Sequence, residues 1–325
     1  MNIPKPRVSI VMPVYNGEKF LGEAIESILN QSFKDFELLL INDGSTDHSI
    51  EIIRTYMQAD SRMQLIVNSQ NLGIAESTNV GIAHANGEYI ALMDQDDISM
   101  QDRLIKEVTF LDNHREVSVV GGNTFILEGQ KNVHERQPLL VSPVLIRWAL
   151  LFRNQLRNPT VMMRREIFTK HQASYENFSP LQDYRFWLKI NMKCWFANIP
   201  DNLVVYRIHK DNASNLLSDN YLQILDQTRN EFVKEVIGGS LSNVYGITNP
   251  EAIKNTSEAK AVCKVLIDWQ KLSNSWKPSN SEKNYITEKT IRKIRDICHF
   301  QKYHLTLLPE MLYTIWLETK SAAQC

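Results

Sequence analysis

Asn86-Gly87-Glu88-Tyr89-Ile90-Ala91-Leu92-Met93-Asp94-Gln95-Asp96-Asp97 decides the fold of this chain. Gly87 closes a preceding helical pattern. Tyr89 to Met93 then runs short and apolar, as a strand buried on both faces of a sheet does. Three carboxylates follow, with one glutamine among them. An unpaired buried charge is costly, so these side chains must emerge where the strand ends. In a parallel α/β sheet the carboxyl ends of strands are where ligands sit. Clustered aspartates repel one another unless a cation neutralises them, and hard oxygens suit Mg2+ or Mn2+. The stretch therefore reads as a divalent-metal site holding an anion, with a diphosphate expected. A solvated acidic turn capping the next helix is the plainer alternative, and the neighbouring segments decide between them.

On the N-terminal side, Val8 to Met12 reads as a first buried strand stopped by Pro13. Asn16 is expected to cap a helix with the stripe Phe20, Leu21, Ala24, Ile25, Ile28 and Leu29. Phe36 to Ile41 is a second strand, ending in Asn42-Asp43-Gly44-Ser45-Thr46-Asp47, where Gly44 permits a tight turn and Ser45 or Thr46 caps the next helix. Met63 to Val67 is a third strand, and Asn71-Leu72-Gly73 opens the helix that leads into the deciding stretch. Strands alternating with helices through short turns mean parallel βαβ units. On the C-terminal side, Ser99 and Asp102 are expected to form a capping box, and Val117 to Val120 a strand closed by Gly121-Gly122. Beyond residue 123 the pattern loosens. Pro143 opens a short helix, Asn158 to Met163 looks extended, a helix starts near Leu181, and Leu203 to Ile208 is a strand leading to His209. From about residue 215 onward the chain reads as helices, Tyr221 to Val236, Glu251 to Leu272 and Glu282 onward.

Composition narrows the class. The 325 residues are 43% hydrophobic and 22% charged, with a formal net charge of −1, so nothing points to nucleic acid as a partner. Cys194, Cys263, Cys298 and Cys325 share no CxxC spacing and are too sparse for a disulfide framework, which fits a reducing cytosol. Met1 to Arg7 has no apolar core of a secretory signal, and no window matches a membrane span. A cytoplasmic protein is expected.

Three strand ends thus converge on one sheet edge: Pro13 to Asn16, Asn42 to Asp47, and Asp94 to Asp97. Tyr15 offers a ring face for stacking on a flat base. Asp43 offers acceptors for a ring N–H. No GxGxxG follows the first strand, and no GxxxxGK[ST] occurs anywhere. Either would hold phosphate on helix-terminal amides. Here a cation must do that, which favours a nucleoside diphosphate bound through metal.

Taken together, Pro13-Val14-Tyr15-Asn16, Asn42-Asp43-Gly44-Ser45-Thr46-Asp47, Asn71-Leu72-Gly73 with Asn79, Gly87-Glu88-Tyr89-Ile90 and Asp94-Gln95-Asp96-Asp97 resemble, in order and spacing, the family 2 glycosyltransferases. The resemblance spans roughly residues 7 to 210. It implies an inverting enzyme of the GT-A fold, a Rossmann-like, mostly parallel sheet flanked by helices, using a nucleotide-sugar donor. Here a helical C-terminal extension follows. The domains expected are a glycosyltransferase domain over 1–215, with a nucleotide-binding half (1–122) and an acceptor half (123–215), and a helical region over 216–325.

The resemblance also implies residue roles. Pro13, Tyr15 and Asp43 line the base pocket, with Val14, Asn16, Asn71, Gly73 and Gln95 around the nucleotide. Asp94 lies near the ribose. Asp96 is the metal-binding end of the DxD motif, for Mn2+ or Mg2+. Asp183 is the catalytic base. Tyr206-Arg207-Ile208-His209 resembles the closing segment, whose histidine ligates the metal or touches the diphosphate. Two positions depart from the family pattern: Gln182 stands where a glutamate is common, and Thr78 where an arginine is common.

The expected reaction is hexosyl transfer, preferably from a UDP-sugar, to a hydroxyl of a saccharide or lipid-linked acceptor, as in surface polysaccharide synthesis. A sugar nucleotidyltransferase would share the nucleotide-binding half, but residues 13–19 supply only Lys19 toward a triphosphate. A non-catalytic sugar-nucleotide-binding or scaffold subunit is the rival from another class, and the presence of Asp96 and Asp183 argues against it. The C-terminal helices could complete the acceptor site, pair two copies or dock peripherally on the inner membrane face. Lys289, Arg292, Lys293, Arg295 and Lys302 precede the apolar run Leu305 to Leu317, which suits an interfacial helix or, more simply, a packed helix with a solvated basic face.

Overall fold

A computed structural model of the chain describes residues 5–129, 132–178, 181–210, 212, 221–238 and 244–300. Its first seven elements alternate as the apolar pattern requires. They are β1 (Val8–Val14), α1 (Leu21–Leu29), β2 (Phe36–Asn42), α2 (Ser49–Ala59), β3 (Met63–Val67), α3 (Ile74–His84) and β4 (Tyr89–Leu92). β1 pairs in parallel with both β2 and β4, and β2 in parallel with β3, giving the order β3-β2-β1-β4. β1, β2 and β4 can be almost wholly apolar because helices cover both faces, whereas β3 at the end of the order is largely open. Ile10, Met12, Leu38 and Leu40 are wholly buried with Ala24, Ile25 and Ile28 of α1. Each fully buried side chain of this kind stabilises the fold by about 1.5–3 kcal/mol.

Next come β5 (Ile98–Ser99), α4 (Arg103–Asn113), β6 (Val117–Glu128), β7 (Asn132–Glu135), α5 (Pro143–Ala149), β8 (Met162–Arg164), α6 (Glu166–Lys170), α7 (Gln182–Ile190) and β9 (Trp195–Ile208). Here the sheet becomes mixed. β8 runs antiparallel to both β4 and β6, β6 parallel to β9, and β5 antiparallel to β9, while β7 pairs antiparallel with β6. Gly121 and Gly122 do not close a strand, as the sequence suggested. β6 runs on through them, because β9 approaches so closely that a Cβ on Gly122 would sit 2.5 Å from Leu203 Cδ1. Asn158–Thr160 forms a single 3-10 turn before β8 rather than extended chain.

Three expected caps are replaced by other contacts. Asn16 adopts φ 48° and its Oδ1 accepts from Thr46 N–H, so it ties two turns together, and α1 starts only at Leu21. α2 starts at Ser49, whose N–H donates to Asp47, not to Ser45 or Thr46. Ser99 belongs to β5, and Asp102 precedes α4 without a side-chain cap bond. Behind the deciding stretch, Arg103 and Glu107 form a wholly buried ion pair at 3.2 Å, and Arg103 Nη2 donates to Leu92 O at 2.8 Å.

The chain divides into two compact units, Met1–Pro143 with Asn154–Leu216, and Val144–Arg153 with Leu217–Cys325. The second thus recruits ten residues from the middle of the sequence. It contains α8 (Tyr221–Ile237), α9 (Thr256–Asn274) and α10 (Asn280–Phe300). Trp269 Nε1 of α9 donates to Trp148 O, and the Phe232 and Trp269 rings meet edge to face. Residues 250–252 form a separate 3-10 turn, and Asn255, accepting from Glu258 N–H, caps α9. The run Leu305 to Leu317, with Lys302, lies outside the described residues. Among those described, no helix is long and apolar enough to cross a membrane.

Candidate active site

The order β3-β2-β1-β4 brings the carboxyl ends of β1, β2 and β4 side by side. The rim they form is laced together by side chains the sequence assigned to the nucleotide. Gln95 pairs with the backbone of Tyr15 at both ends, Tyr15 N–H donating to Oε1 at 2.9 Å and Nε2 donating to Tyr15 O at 3.0 Å. The Tyr15 ring itself stays 48% exposed, as a stacking face requires. Asn16 N–H donates to Ser45 Oγ. Val14 is wholly buried in the core and its carbonyl accepts from Asp43 N–H, so its side chain serves the sheet. Pro13 lies half-buried in register with Ile41.

Asp43 is buried at the end of β2. Its Oδ1 accepts from Asn68 Nδ2 and Leu72 N–H, and its Oδ2 from Gly73 N–H, each at 2.9 Å. Asn71 Oδ1 also accepts from Gly73 N–H. The carboxylate thus pins the loop before α3, and one of its roughly four lone-pair sites remains for a ring N–H. Gly44 makes this tight packing possible. Its φ is +76°, and a Cβ there would lie 3.0 Å from Asn71 N.

The acidic turn is fastened from the far side of the sheet. Arg207 N–H donates to Asp97 Oδ1, Arg207 Nε to Asp96 O, and Nη2 to Glu23 on α1. Its guanidinium also lies over the Phe20 ring. His209 Nε2 is 2.8 Å from Asp96 Oδ2, and Asn212 Nδ2 is 3.4 Å from the same oxygen. Burial, then the Asp96 and Asp183 charges, pushes the Asp94 carboxyl up to about 7. Asp97 is raised by burial and by the same crowd of charge.

Among the described residues no three His, Cys, Asp or Glu side chains converge as a ready metal cage. The donor chemistry nevertheless fits a cation that arrives with a diphosphate. Mg2+ and related ions are commonly held by one or two carboxylates plus phosphate oxygens and waters. Asp96 offers one such carboxylate with the His209 imidazole nitrogen 2.8 Å from it, and a divalent charge would relieve the repulsion that, after burial, raises Asp94.

Asp183 lies in the first turn of α7. Its Oδ1 accepts from Tyr184 N–H at 2.6 Å and its Oδ2 from Asn154 Nδ2 at 2.9 Å. Burial raises its carboxyl above the usual range, while those two bonds draw it back. Asn154, Asn212 and Asn68 are contacts the sequence reading missed. Each is a lone asparagine in a loop with no periodic pattern to single it out. Arg207 was visible only as a neighbour of His209.

A parallel β3-β2-β1-β4 half with an acidic turn at the end of β4, continued by a mixed β8-β6-β9-β5 half, is the architecture of a GT-A glycosyltransferase. The chain belongs to glycosyl transferase family 2, whose family model matches residues 9–179, more than half its length. It is 28% identical to an uncharacterized glycosyltransferase of Haemophilus influenzae over 93% of this chain and 92% of that one. In fold it is similar to TarS 1-349 of S. aureus in complex with UDP-GlcNAc, with TM-score 0.58 and 18% identity over 92% of this chain and 91% of that one. It is also similar to the mannosyltransferase PcManGT of Pyrobaculum calidifontis in complex with GDP-Man and Mn2+, with TM-score 0.54 and 16% identity over 97% and 87% of the two chains.

Proposed function

We propose that this protein transfers a hexosyl group, with inversion, from a UDP-sugar to a hydroxyl of a saccharide or lipid-linked acceptor, in the synthesis of surface polysaccharide or glycoconjugate. The observation that carries this reading is the acidic turn after β4, where His209 Nε2 lies 2.8 Å from Asp96 Oδ2, beside the carboxyl ends of β1 and β2. Tyr15 stacks on the base, and the lone pair left on Asp43 Oδ2 takes the N3–H of uracil. Asp96 and His209 would hold Mn2+ or Mg2+, which when bound supplies Lewis-acid stabilisation to the departing diphosphate. Asp183, oriented by Asn154 and Tyr184 N–H, accepts the acceptor hydroxyl proton. The acceptor oxygen bonds to the anomeric carbon as that carbon's bond to the diphosphate breaks. TarS with UDP-GlcNAc and PcManGT with GDP-Man and Mn2+ lend support to a sugar-nucleotide donor and a divalent cation.

Screening UDP-, GDP- and dTDP-hexoses for donor hydrolysis with Mn2+ identifies the donor. Asp183→Asn should then lower kcat by about 10²- to 10⁴-fold, with donor affinity nearly unchanged. Loss of donor binding in that variant would make Asp183 structural. Binding of UDP without turnover of any donor by the unaltered protein would leave a sugar-nucleotide-binding subunit.

A further inference from the structure

Gln95 is the one uncharged side chain of the turn Asp94-Gln95-Asp96-Asp97. Its carboxamide reaches the loop after β1 and meets a single residue at both ends. Tyr15 N–H donates to Oε1 at 2.9 Å, and Nε2 donates to Tyr15 O at 3.0 Å. Only a primary amide can accept and donate in this way at once. A glutamate here would have no donor for Tyr15 O and would add a fourth carboxylate to the turn. Gly17 makes room for the amide, since a Cβ there would lie 2.5 Å from Gln95 Oε1. The φ of Gly17 is not positive, so space rather than backbone twist calls for glycine at this position.

The same loop is tied on its other flank. Asn16 N–H donates to Ser45 Oγ, Asn16 Oδ1 accepts from Thr46 N–H, and Gly17 N–H donates to Ser49 Oγ. Asn16 is held at φ 48°, a region that asparagine enters more readily than most residues but still at a cost. Such a conformation persists where the surroundings over-determine it, as they do here. The backbone of Tyr15 is thus fixed, while its ring stays 48% exposed. The ring face offered to a base and the turn offered to a cation are joined by two hydrogen bonds through Gln95, whose chain neighbour is Asp96.

We propose that Gln95 is a positioning residue that fixes the Tyr15 ring at a set distance from the cation-binding turn, so that the base and the diphosphate of one nucleotide are gripped together. A ligand that spans both points gains from this fixed spacing, because less ordering remains to be done on binding. A diphosphate without a base touches only the turn and gains nothing from it. The turn has anchors of its own in Arg207 and His209, so it stays in place without the Gln95 amide. This inference rests on the nucleotide site proposed above.

Calorimetric titrations in Mn2+ compare UDP with methyl diphosphate, which lacks a base, on the unaltered protein, Gln95→Ala, Tyr15→Ala and the double variant. Gln95→Ala should weaken UDP about tenfold and methyl diphosphate by less than about twofold. In the Tyr15→Ala background the loss of UDP affinity from Gln95→Ala should shrink to about twofold, because the two residues serve one contact. Truncating the ring leaves the backbone of residue 15 in place, so Gln95→Ala should lower the thermal midpoint equally in both backgrounds. Gly17→Ala crowds the amide without deleting it and should reproduce the UDP loss, which keeps the idea testable if Gln95→Ala fails to fold. Equal UDP losses in both backgrounds, or equal losses for UDP and methyl diphosphate, would overturn the inference. Failure of the unaltered protein to bind UDP would remove the nucleotide reading and this inference together. UDP affinity unchanged in both Gln95→Ala and Gly17→Ala would remove the inference alone.

Discussion

Asp183 is set between opposing influences. Burial favours its neutral form, while Tyr184 N–H and Asn154 Nδ2 favour the carboxylate. A base acts only when unprotonated, so with Asp183 as the proposed base its raised value should move the acid limb of the rate profile above the ordinary carboxylate range. Asn154→Ala deletes a donor to the anion, which makes protonation easier. The acid limb of kcat should therefore shift to still higher pH, with donor affinity little changed. An unmoved limb in a full pH–rate profile would show that Asn154 does not act through Asp183. Asp183 was singled out in the sequence by its place among ordered motifs, whereas Asn154 was not. It stands 29 positions earlier, and only folding brings the two together. Likewise Asp43 and Gln95, assigned to the nucleotide, also bond to backbone groups. A sequence reveals that Asp43 can accept and that Gln95 can accept and donate, but not that folding brings Gly73 N–H and the Tyr15 peptide to them.

Arg207 binds three elements with one side chain: β9, α1 through Glu23 and Phe20, and the turn after β4 through Asp96 O. Arg207→Met keeps most of the apolar stem and deletes every one of these polar contacts. Since Glu23 is largely solvent-exposed, its ion pair contributes little. The loss should come to about 2 kcal/mol, chiefly from the buried bond to Asp96 O. Urea unfolding would measure it, and Mn2+ titration should show weaker binding because the turn loses its anchor. The same elements mark how far pattern reading reaches. Helix bodies were legible from their apolar stripes, but helix starts were not, because Asn16, Ser45 and Ser99 spend their polar atoms on neighbouring turns and strands. Gly121-Gly122 looked like an ending. The pair is instead where one strand makes way for another, a distinction that depends on Leu203, about eighty residues away.

For the molecule as a whole, the parallel order β3-β2-β1-β4 could be read in advance because each strand is joined to the next by one helix and two short turns. The mixed remainder could not. β8 has three residues, too few for a pattern, and β6 and β9 pair across a long separation. If Asp96 and His209 grip a cation only together with a diphosphate, UDP and Mn2+ should stabilise the protein cooperatively. Saturation at a hundred times the dissociation constant corresponds to about 2.7 kcal/mol. Thermal melts should rise more with both than the sum of the rises with each alone, and EDTA should abolish both the excess and transfer, with Mn2+ restoring them. Simple additivity would argue against a shared site.

The brief loan of residues 144–153 to the helical unit has a practical meaning for anyone wishing to trim this protein. The backbone passes between the units three times, after residues 143, 153 and 216, so no single cut can part them. Ending the chain near residue 216 would strand Trp148 and Phe152 without the α9 and α8 side chains, Trp269 and Arg229, that donate to their carbonyls. A truncation that keeps the first unit therefore has to replace or redesign residues 144–153 as well.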